Sequence, residues 1–373
     1  MLLPSHPLTV LQILPALHAG GVERGTLEIS RHLVQNGHRS LVMSAGGRMV
    51  PQLLAEGGEH FSSPIGKKSL LTLRLIWQLR RFIIEQKVDI LHLRSRMPAW
   101  IGYLAWRGMD PATRPKLVTT VHGAYSVNAY SAVMTKGERV IAVSNTIREY
   151  ILSNYPKVDP EKIRLIYRGV DPHEFPRGYQ PSDEWLAKWQ QNYPQLKGKV
   201  IITLPGRITR WKGQIDFIEL IAHLKQAGIR VHGVIAGEAD PKKTTFLHEL
   251  QAKIQALNLI NDISLIGHRT DLKEVMAVSN LVLSLSQEPE AFGRITPEAL
   301  SLGIPVVGYD HGGVGEVLKE IFPTGLVELN NPENLIATVQ QCLTHPYAIK
   351  DNATFSLADM QTKTLAVYRE LSN

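Results

Sequence analysis

The chain holds one cysteine, Cys342, in 373 residues. A single thiol forms no internal disulfide and builds no cysteine-based metal site. No uninterrupted apolar run reaches the about 18 residues of a membrane-spanning helix. The opening, MLLPSHPLTVLQILPALHAGG, is apolar but lacks the basic segment of a secretory signal. It reads better as a short lead into a buried strand, Thr9 to Leu14. A cytoplasmic protein is the simplest expectation. There is no G-x-G-x-x-G, which weighs against a dinucleotide oxidoreductase, and no Walker A pattern, which weighs against a P-loop triphosphatase. Zinc-finger spacing, an RRM-type aromatic and basic signature, internal repeats and low-complexity tracts are also missing.

What is present describes a globular chain with an excess of cations. The apolar fraction is 44%, the formal net charge +7 and the isoelectric point near 9.3. Such a balance suits nucleic acid, an anionic membrane or anionic small substrates. With no nucleic-acid signature, nucleic acid is the weakest of the three and is not expected as a partner.

Short β-branched or leucine-rich runs alternate with helical stretches. The first half offers strands at 9–14, 40–43, 90–93, 117–121 and 139–143, with helices over 25–36 and 70–86 between them. The second half repeats the pattern at 200–204, 231–236, 263–266, 281–285 and 305–308. Alternation of this kind predicts α/β architecture with parallel, doubly wound sheets. Two such series predict two Rossmann-like domains, with ligand at the carboxyl ends of the strands and in the cleft between domains. The proline-rich stretch from Asp171 to Lys197 holds the expected boundary. The expected domains are 1–175 and 176–354, with a last helix over about 355–373 returning to the first.

The segment EPEAFGRITPEALSLGIPVVGYDHGGVGEVL, residues 288–318, is the most informative. Glu290 precedes the turn-like Ala291-Phe292-Gly293. Glu298 lies in a helix start in which Pro297 suits the first helical position. Free amides and the positive end of a helix favour an anion. Two carboxylates flanking such a turn can accept hydrogen bonds from sugar hydroxyls while the amides hold phosphate. The alternative is an exposed loop with two surface glutamates.

Four further features carry chemistry. Gly20-Gly21 follows the first strand and opens a helix, where backbone without Cβ can approach a phosphate. Arg207 and Lys212 follow the first strand of the second half, spaced to converge from one loop on a diphosphate. Arg94 and Arg96 follow the strand 90–93, where they suit a phosphorylated or acidic acceptor or else a plain basic surface loop. Gly66 to Lys87 carries Lys67, Lys68, Arg74, Arg80, Arg81 and Lys87 against the single acidic Glu85. It reads as a basic amphipathic helix, either lying on an anionic membrane or covering the first sheet.

Taken in order, several motifs resemble the family 4 glycosyltransferases, retaining nucleotide-sugar enzymes of GT-B fold. They are Gly20-Gly21-Val22-Glu23-Arg24, Thr120-Val121-His122-Gly123, Ala142-Val143-Ser144-Asn145 and Ile166-Tyr167-Arg168-Gly169-Val170-Asp171. Pro205-Gly206-Arg207 through Lys212-Gly213, Leu265-Ile266-Gly267-His268-Arg269 and the Glu290–Glu298 segment complete the set. The resemblance implies transfer of a hexose from a UDP- or GDP-sugar to a glycolipid or polysaccharide, with no cofactor beyond the nucleotide-sugar co-substrate. It implies that His122 faces the donor sugar, that Glu298 binds ribose, and that Glu290 with Ala291, Phe292 and Gly293 holds the sugar hydroxyls and phosphate. Gly312 and Gly313 are implied near the diphosphate, and Ile266 and Gly267 beside the nucleobase. The chain contains no Asp-x-Asp, the pair that commonly holds a metal-bridged diphosphate, so Arg207 and Lys212 are expected to stand in for a metal. Residues 94–100 look like lipopolysaccharide-core members of the family. A nucleotide-sugar epimerase, a sugar-phosphate synthase and a non-catalytic binding protein are the rival readings.

Overall fold

The computed structural model describes residues 6–18 and 20–372, apart from the side chain of Leu70. The expected lead-in over residues 1–5 lies outside them. Contacts divide the chain into two units, Met1–Gly169 with Leu357–Asn373, and Val170–Ser356. The first division falls ahead of the stretch 171–197 because the prolines there already belong to the second unit. Ser301 Oγ donates to the Phe175 carbonyl at 2.7 Å, and the Gly178 amide donates to the Leu302 carbonyl at 2.9 Å.

Unit 1 is built on β1 (Thr9–Ile13), β2 (Arg39–Ser44), β3 (Glu59–Ser62), β4 (Ile90–Leu93), β5 (Lys116–Val121), β6 (Arg139–Ala142) and β7 (Ile163–Leu165). The described strands pair in parallel in the order β3-β2-β1-β4-β5-β6-β7. β4 is buried along its whole length and β5 from Leu117 onward, as parallel strands covered on both faces must be. The covering helices are α1 (Gly21–Gln35), α2 (Val50–Ala55), α3 (Leu75–Glu85), α4 (Arg96–Arg107) and α5 (Asn145–Asn154). The last helix of the chain, over Leu357–Ser372, packs Leu357, Met360, Leu365, Val367 and Tyr368 onto Val10, Ile29, Ile90 and Val118. That apolar stripe is why the C-terminus folds with unit 1.

Unit 2 carries β8 (Val200–Pro205), β9 (Val231–Ala236), β10 (Ile263–Leu265), β11 (Leu281–Ser284), β12 (Val306–Tyr309) and β13 (Leu326–Val327). Their order is β10-β9-β8-β11-β12-β13, again parallel. The helices are α6 (Asp183–Asn192), α7 (Gln214–Gln226), α8 (Thr245–Ala256), α9 (Leu272–Ala277), α10 (Ile295–Leu302), α11 (Gly312–Ile321) and α12 (Pro332–Thr344); the returning helix of unit 1 is α13. Strand order reverses between β1 and β4 in unit 1 and between β8 and β11 in unit 2. Ligands of doubly wound sheets bind at the carboxyl ends beside such a reversal.

Two local expectations change. Residues 70–86 are not one helix: Leu70–Arg74 is a 3-10 turn, capped where Ser69 Oγ accepts from the Leu71 amide, and the α-helix begins at Leu75. Pro297 is the third residue of α10, which starts at Ile295. It remains within the first turn, where its missing N–H costs no helical hydrogen bond.

Candidate active site

Both loops that close the switch point of unit 2 carry expected site residues. The first follows β8. Its last residue, Gly213, is left-handed (φ 75°), and a Cβ there would stand 2.0 Å from the Leu285 carbonyl oxygen. Glycine thus lets this loop press against the end of β11. The Gln287 amide then donates to the Trp211 carbonyl at 2.6 Å, joining the two loops. Lys212 is swung across the join. Its Nζ lies 2.7 Å from Glu290 Oε1 and 4.4 Å from the Trp211 ring centre. Ser286 Oγ donates to the same carboxylate oxygen. Lys212 and Glu290 are 17% and 18% exposed, so this ion pair is shielded without being sealed from solvent. Glu290 Oε2 has no partner among the described residues.

The turn after Glu290 lies flush on the start of α11. The Gly313 amide donates to the Glu290 carbonyl at 2.8 Å. Gly312 is left-handed (φ 59°), and a Cβ on it would meet the Glu290 backbone at 2.7 Å. The amide of Gly313 is therefore occupied by the protein itself. His311, just ahead of α11, ties this helix start to the end of β11, its Nε2–H donating to the Ser286 carbonyl at 2.5 Å. The amides of Ala291 and Gly293 carry no hydrogen bond among the described residues, and both residues are half-buried. Phe292 is buried against Phe355. Glu298, 5% exposed, meets Arg294 Nε at 3.3 Å.

Arg207 is exposed at the mouth of the β8 loop, and its guanidinium has no protein partner among the described residues. Its carbonyl is pinned by Gln214 Nε2 at 3.0 Å. Arg210, by contrast, is committed to Glu249 at 2.5 Å and lies over Phe246. After β10, the Ile266 amide is used by the Ile235 carbonyl, whereas Gly267 is left-handed (φ 69°) and borders open space. Arg269 closes onto Asp271, so it braces this loop.

Unit 1 places its candidates at β1, β4 and β5, again beside the reversal. Gly20 (φ 136°) starts α1, and Gly21 is its first residue. Glu23 folds back to within 2.6 Å of where a Gly20 Cβ would be, so a carboxylate already stands at this helix start. Burial raises the Glu23 carboxyl above its usual range, with Arg94, His18 and Arg168 nearby holding it down. Arg94 is not a surface residue. It is 2% exposed, donates to Gln12 Oε1 at 2.8 Å, and burial pulls its guanidinium down to about 10. Arg94 therefore belongs to the interior, because β4 ends under α1. Arg96 is half-buried, with its guanidinium 4.7 Å from the Tyr125 ring and 5.6 Å from Tyr130. His122 follows β5. Arg168 Nη2 lies 2.6 Å from its Nδ1, and burial and the Arg168 charge keep the ring well below the usual histidine range.

Ser286, Trp211, His311 and Arg168 complete these arrangements without having been singled out from the sequence. Ser286 lies two residues ahead of the 288–318 segment and His311 within it, so their places just past β11 and ahead of a double glycine were the available signals.

Residues 19–174 match the family model described as Glycosyltransferase Family 4, and residues 187–356 match Glycosyl transferases group 1. A glycosyltransferase structure from Rickettsia africae ESF-5 is 32% identical, with a TM-score of 0.84 and 98% of each chain covered. Anabaena Alr3699/HepE, solved with UDP and glucose, is 20% identical, covering 97% of this chain and 99% of its own at a TM-score of 0.81, and shares the fold. The Escherichia coli UDP-Gal:alpha-D-GlcNAc-diphosphoundecaprenol alpha-1,3-galactosyltransferase is 26% identical over 69% of this chain and 67% of its own. With both halves matched in order on two Rossmann-like sheets, the chain belongs to the family 4 glycosyltransferases of GT-B fold.

Proposed function

We propose that this glycosyltransferase moves a hexose, with retention, from a UDP-sugar to a lipid-linked saccharide of a cell-surface glycan, the lipopolysaccharide core being the favoured setting. The observation that carries the reading is the Lys212–Glu290 pair at 2.7 Å, which brings a cation and a carboxylate from separate loops to the switch point of unit 2. The uridine preference rests on the E. coli relative, whose name also gives a lipid diphosphate acceptor. The lipopolysaccharide setting rests on the likeness of residues 94–100.

In this reading Arg207 and Lys212 neutralise the diphosphate, assisted by the amides of Ala291 and Gly293. Stabilising charge on a leaving group is commonly the largest catalytic contribution. These protein cations take the place of a divalent ion. Glu290 Oε2 accepts from a sugar hydroxyl, Glu298 holds the ribose, and Gly267 presents backbone to the base. His122 donates to the sugar. The sugar C1–O bond to phosphate breaks, and the acceptor oxygen bonds to C1 on the same face. The acceptor's proton passes to the departing phosphate oxygen. Arg96 with Tyr125 and Tyr130 forms the acceptor surface of unit 1.

No helix among the described residues is long and apolar enough to cross a membrane. Leu71, Trp77 and Ile84 are nonetheless 65%, 71% and 66% exposed beside Lys67, Lys68, Arg74 and Arg81. We take this face of unit 1 to rest on an anionic bilayer, where each basic residue is worth roughly 1 kcal/mol.

The test is incubation of UDP-hexoses with lipid-linked saccharides, with and without EDTA. Release of UDP only when acceptor is present, with an α-linked product from an α-linked donor, supports the reading. Donor isomerisation without UDP release would replace it with epimerisation. An inverted product would overturn the retaining mechanism, and loss of turnover in EDTA would overturn the metal-free one.

A further inference from the structure

The ring nitrogens of His122 are not equivalent, and the reason lies in a residue outside the sugar site. Arg168, on the segment after β7, is 7% exposed, and its Nη2 stands 2.6 Å from His122 Nδ1. A guanidinium has only N–H donors and keeps its proton in proteins. The contact is a hydrogen bond only if Nδ1 is the acceptor, which leaves the ring proton on Nε2. His122 Nε2 is buried and has no hydrogen-bond partner among the described residues. A donor without a partner is costly to bury, and it offers a ready N–H to an incoming oxygen.

We propose that Arg168 is a positioning residue that fixes His122 as an Nε2–H hydrogen-bond donor and denies it the role of proton acceptor. The proposal deepens the reading in which His122 touches the donor sugar and rests on that reading for its catalytic meaning. The surroundings agree. Arg94, at the end of β4, and His92, held between Tyr368 Oη and Thr120 Oγ1 at 2.6 Å each, face the same interior. The Arg168 and Arg94 charges add to the burial that disfavours an imidazolium at His122. The Tyr125 hydroxyl oxygen accepts from the His122 amide at 3.2 Å. Arg168 is itself placed by a small residue. A Cβ at Gly25 of α1 would lie 2.1 Å from Arg168 Nη1, so glycine there leaves the guanidinium room. An N–H fixed in this way can steady oxygen on the sugar or the departing phosphate, and the acceptor's proton must leave by another route.

The test is a pH titration of the full chain labelled with 15N-imidazole histidine, with His122 assigned by its loss in His122→Gln. The expected wild-type pattern is a pyridine-like Nδ1 and a pyrrole-like Nε2, unchanged from pH 8 to pH 5.5. Arg168→Leu is expected to release the ring into mixed tautomers, with both nitrogens showing averaged shifts, while burial still resists its protonation. Arg168→Lys, which keeps a donor, is expected to restore the wild-type pattern, and Gly25→Ala to mimic the leucine variant by displacing Arg168. A protonated Nδ1 in the wild type, or ordinary histidine titration, overturns the proposal even if a variant fails to fold. The readout needs no substrate. The predicted tautomer in a protein that binds no nucleotide sugar would sink the sugar assignment while leaving Arg168's role standing.

Discussion

At the residue scale, the two cations of the donor loop differ in what they do for the folded protein. Arg207 is exposed and unpartnered, so Arg207→Ala is expected to leave stability within about 0.5 kcal/mol of wild type. Donor affinity should nevertheless fall about tenfold to a hundredfold, the worth of one charge-assisted hydrogen bond. Lys212→Ala strips the partner from a half-buried carboxylate, which costs about 1–3 kcal/mol, and weakens donor binding too. Denaturant unfolding beside nucleotide titration separates the two cases; equal stability losses would contradict the assignment. Glu290→Ala should lower turnover more than affinity for free UDP, because the proposed function gives its open oxygen to a sugar hydroxyl. Of this site, the residue types were legible in the sequence. The Lys212–Glu290 contact was not, since it depends on how two loops far apart in the chain meet at one strand reversal. Nor was the interior placement of Arg94, because a strand-end arginine reads the same whether a helix covers it or not.

At the element scale, the buried strands announced themselves through continuous apolar runs. The strands that escaped notice are β3, β7 and β13, which are short and lie at sheet edges. An edge strand such as β3 is only partly covered, so its sequence lacks the run that marks a central parallel strand. The returning helix α13 was legible because its apolar stripe is long. The basic segment 66–87 divides more finely than its composition suggests. Arg80 donates to the Ala105 and Leu104 carbonyls at 3.0 and 3.1 Å, satisfying the end of α4. Charge reversal at Arg80 would therefore damage the fold and mislead a membrane assay. Trp77→Ser with Arg81→Glu keeps that cap and should reduce flotation with phosphatidylglycerol vesicles several-fold, with unfolding close to wild type. Flotation equal to wild type would return α3 to a plain covering helix.

At the scale of the whole molecule, buried histidines set the acid side of stability. His92 and His122 are held well below the ordinary value and His232 at about 4, each chiefly by burial. The unfolded chain takes up these protons near pH 6.5 and the folded chain does not, so stability falls as pH drops from about 6.5 towards 4. His232 alone contributes up to about 3 kcal/mol across that window. Glu23 and Asp216, pushed upward by burial, act with the opposite sign in the acid range and offset part of the loss. A thermal midpoint that stayed flat between pH 7 and pH 5 would show that these rings are hydrated and titrate freely.

Whether unit 2 binds a nucleotide sugar through protein cations is decided by calorimetric titration with UDP-, GDP-, ADP- and dTDP-hexoses in EDTA. The account predicts saturable binding of a UDP-sugar by the wild-type chain and a tenfold or greater loss in Arg207→Ala. Binding that requires a divalent ion, or that Arg207→Ala leaves unchanged, would contradict it.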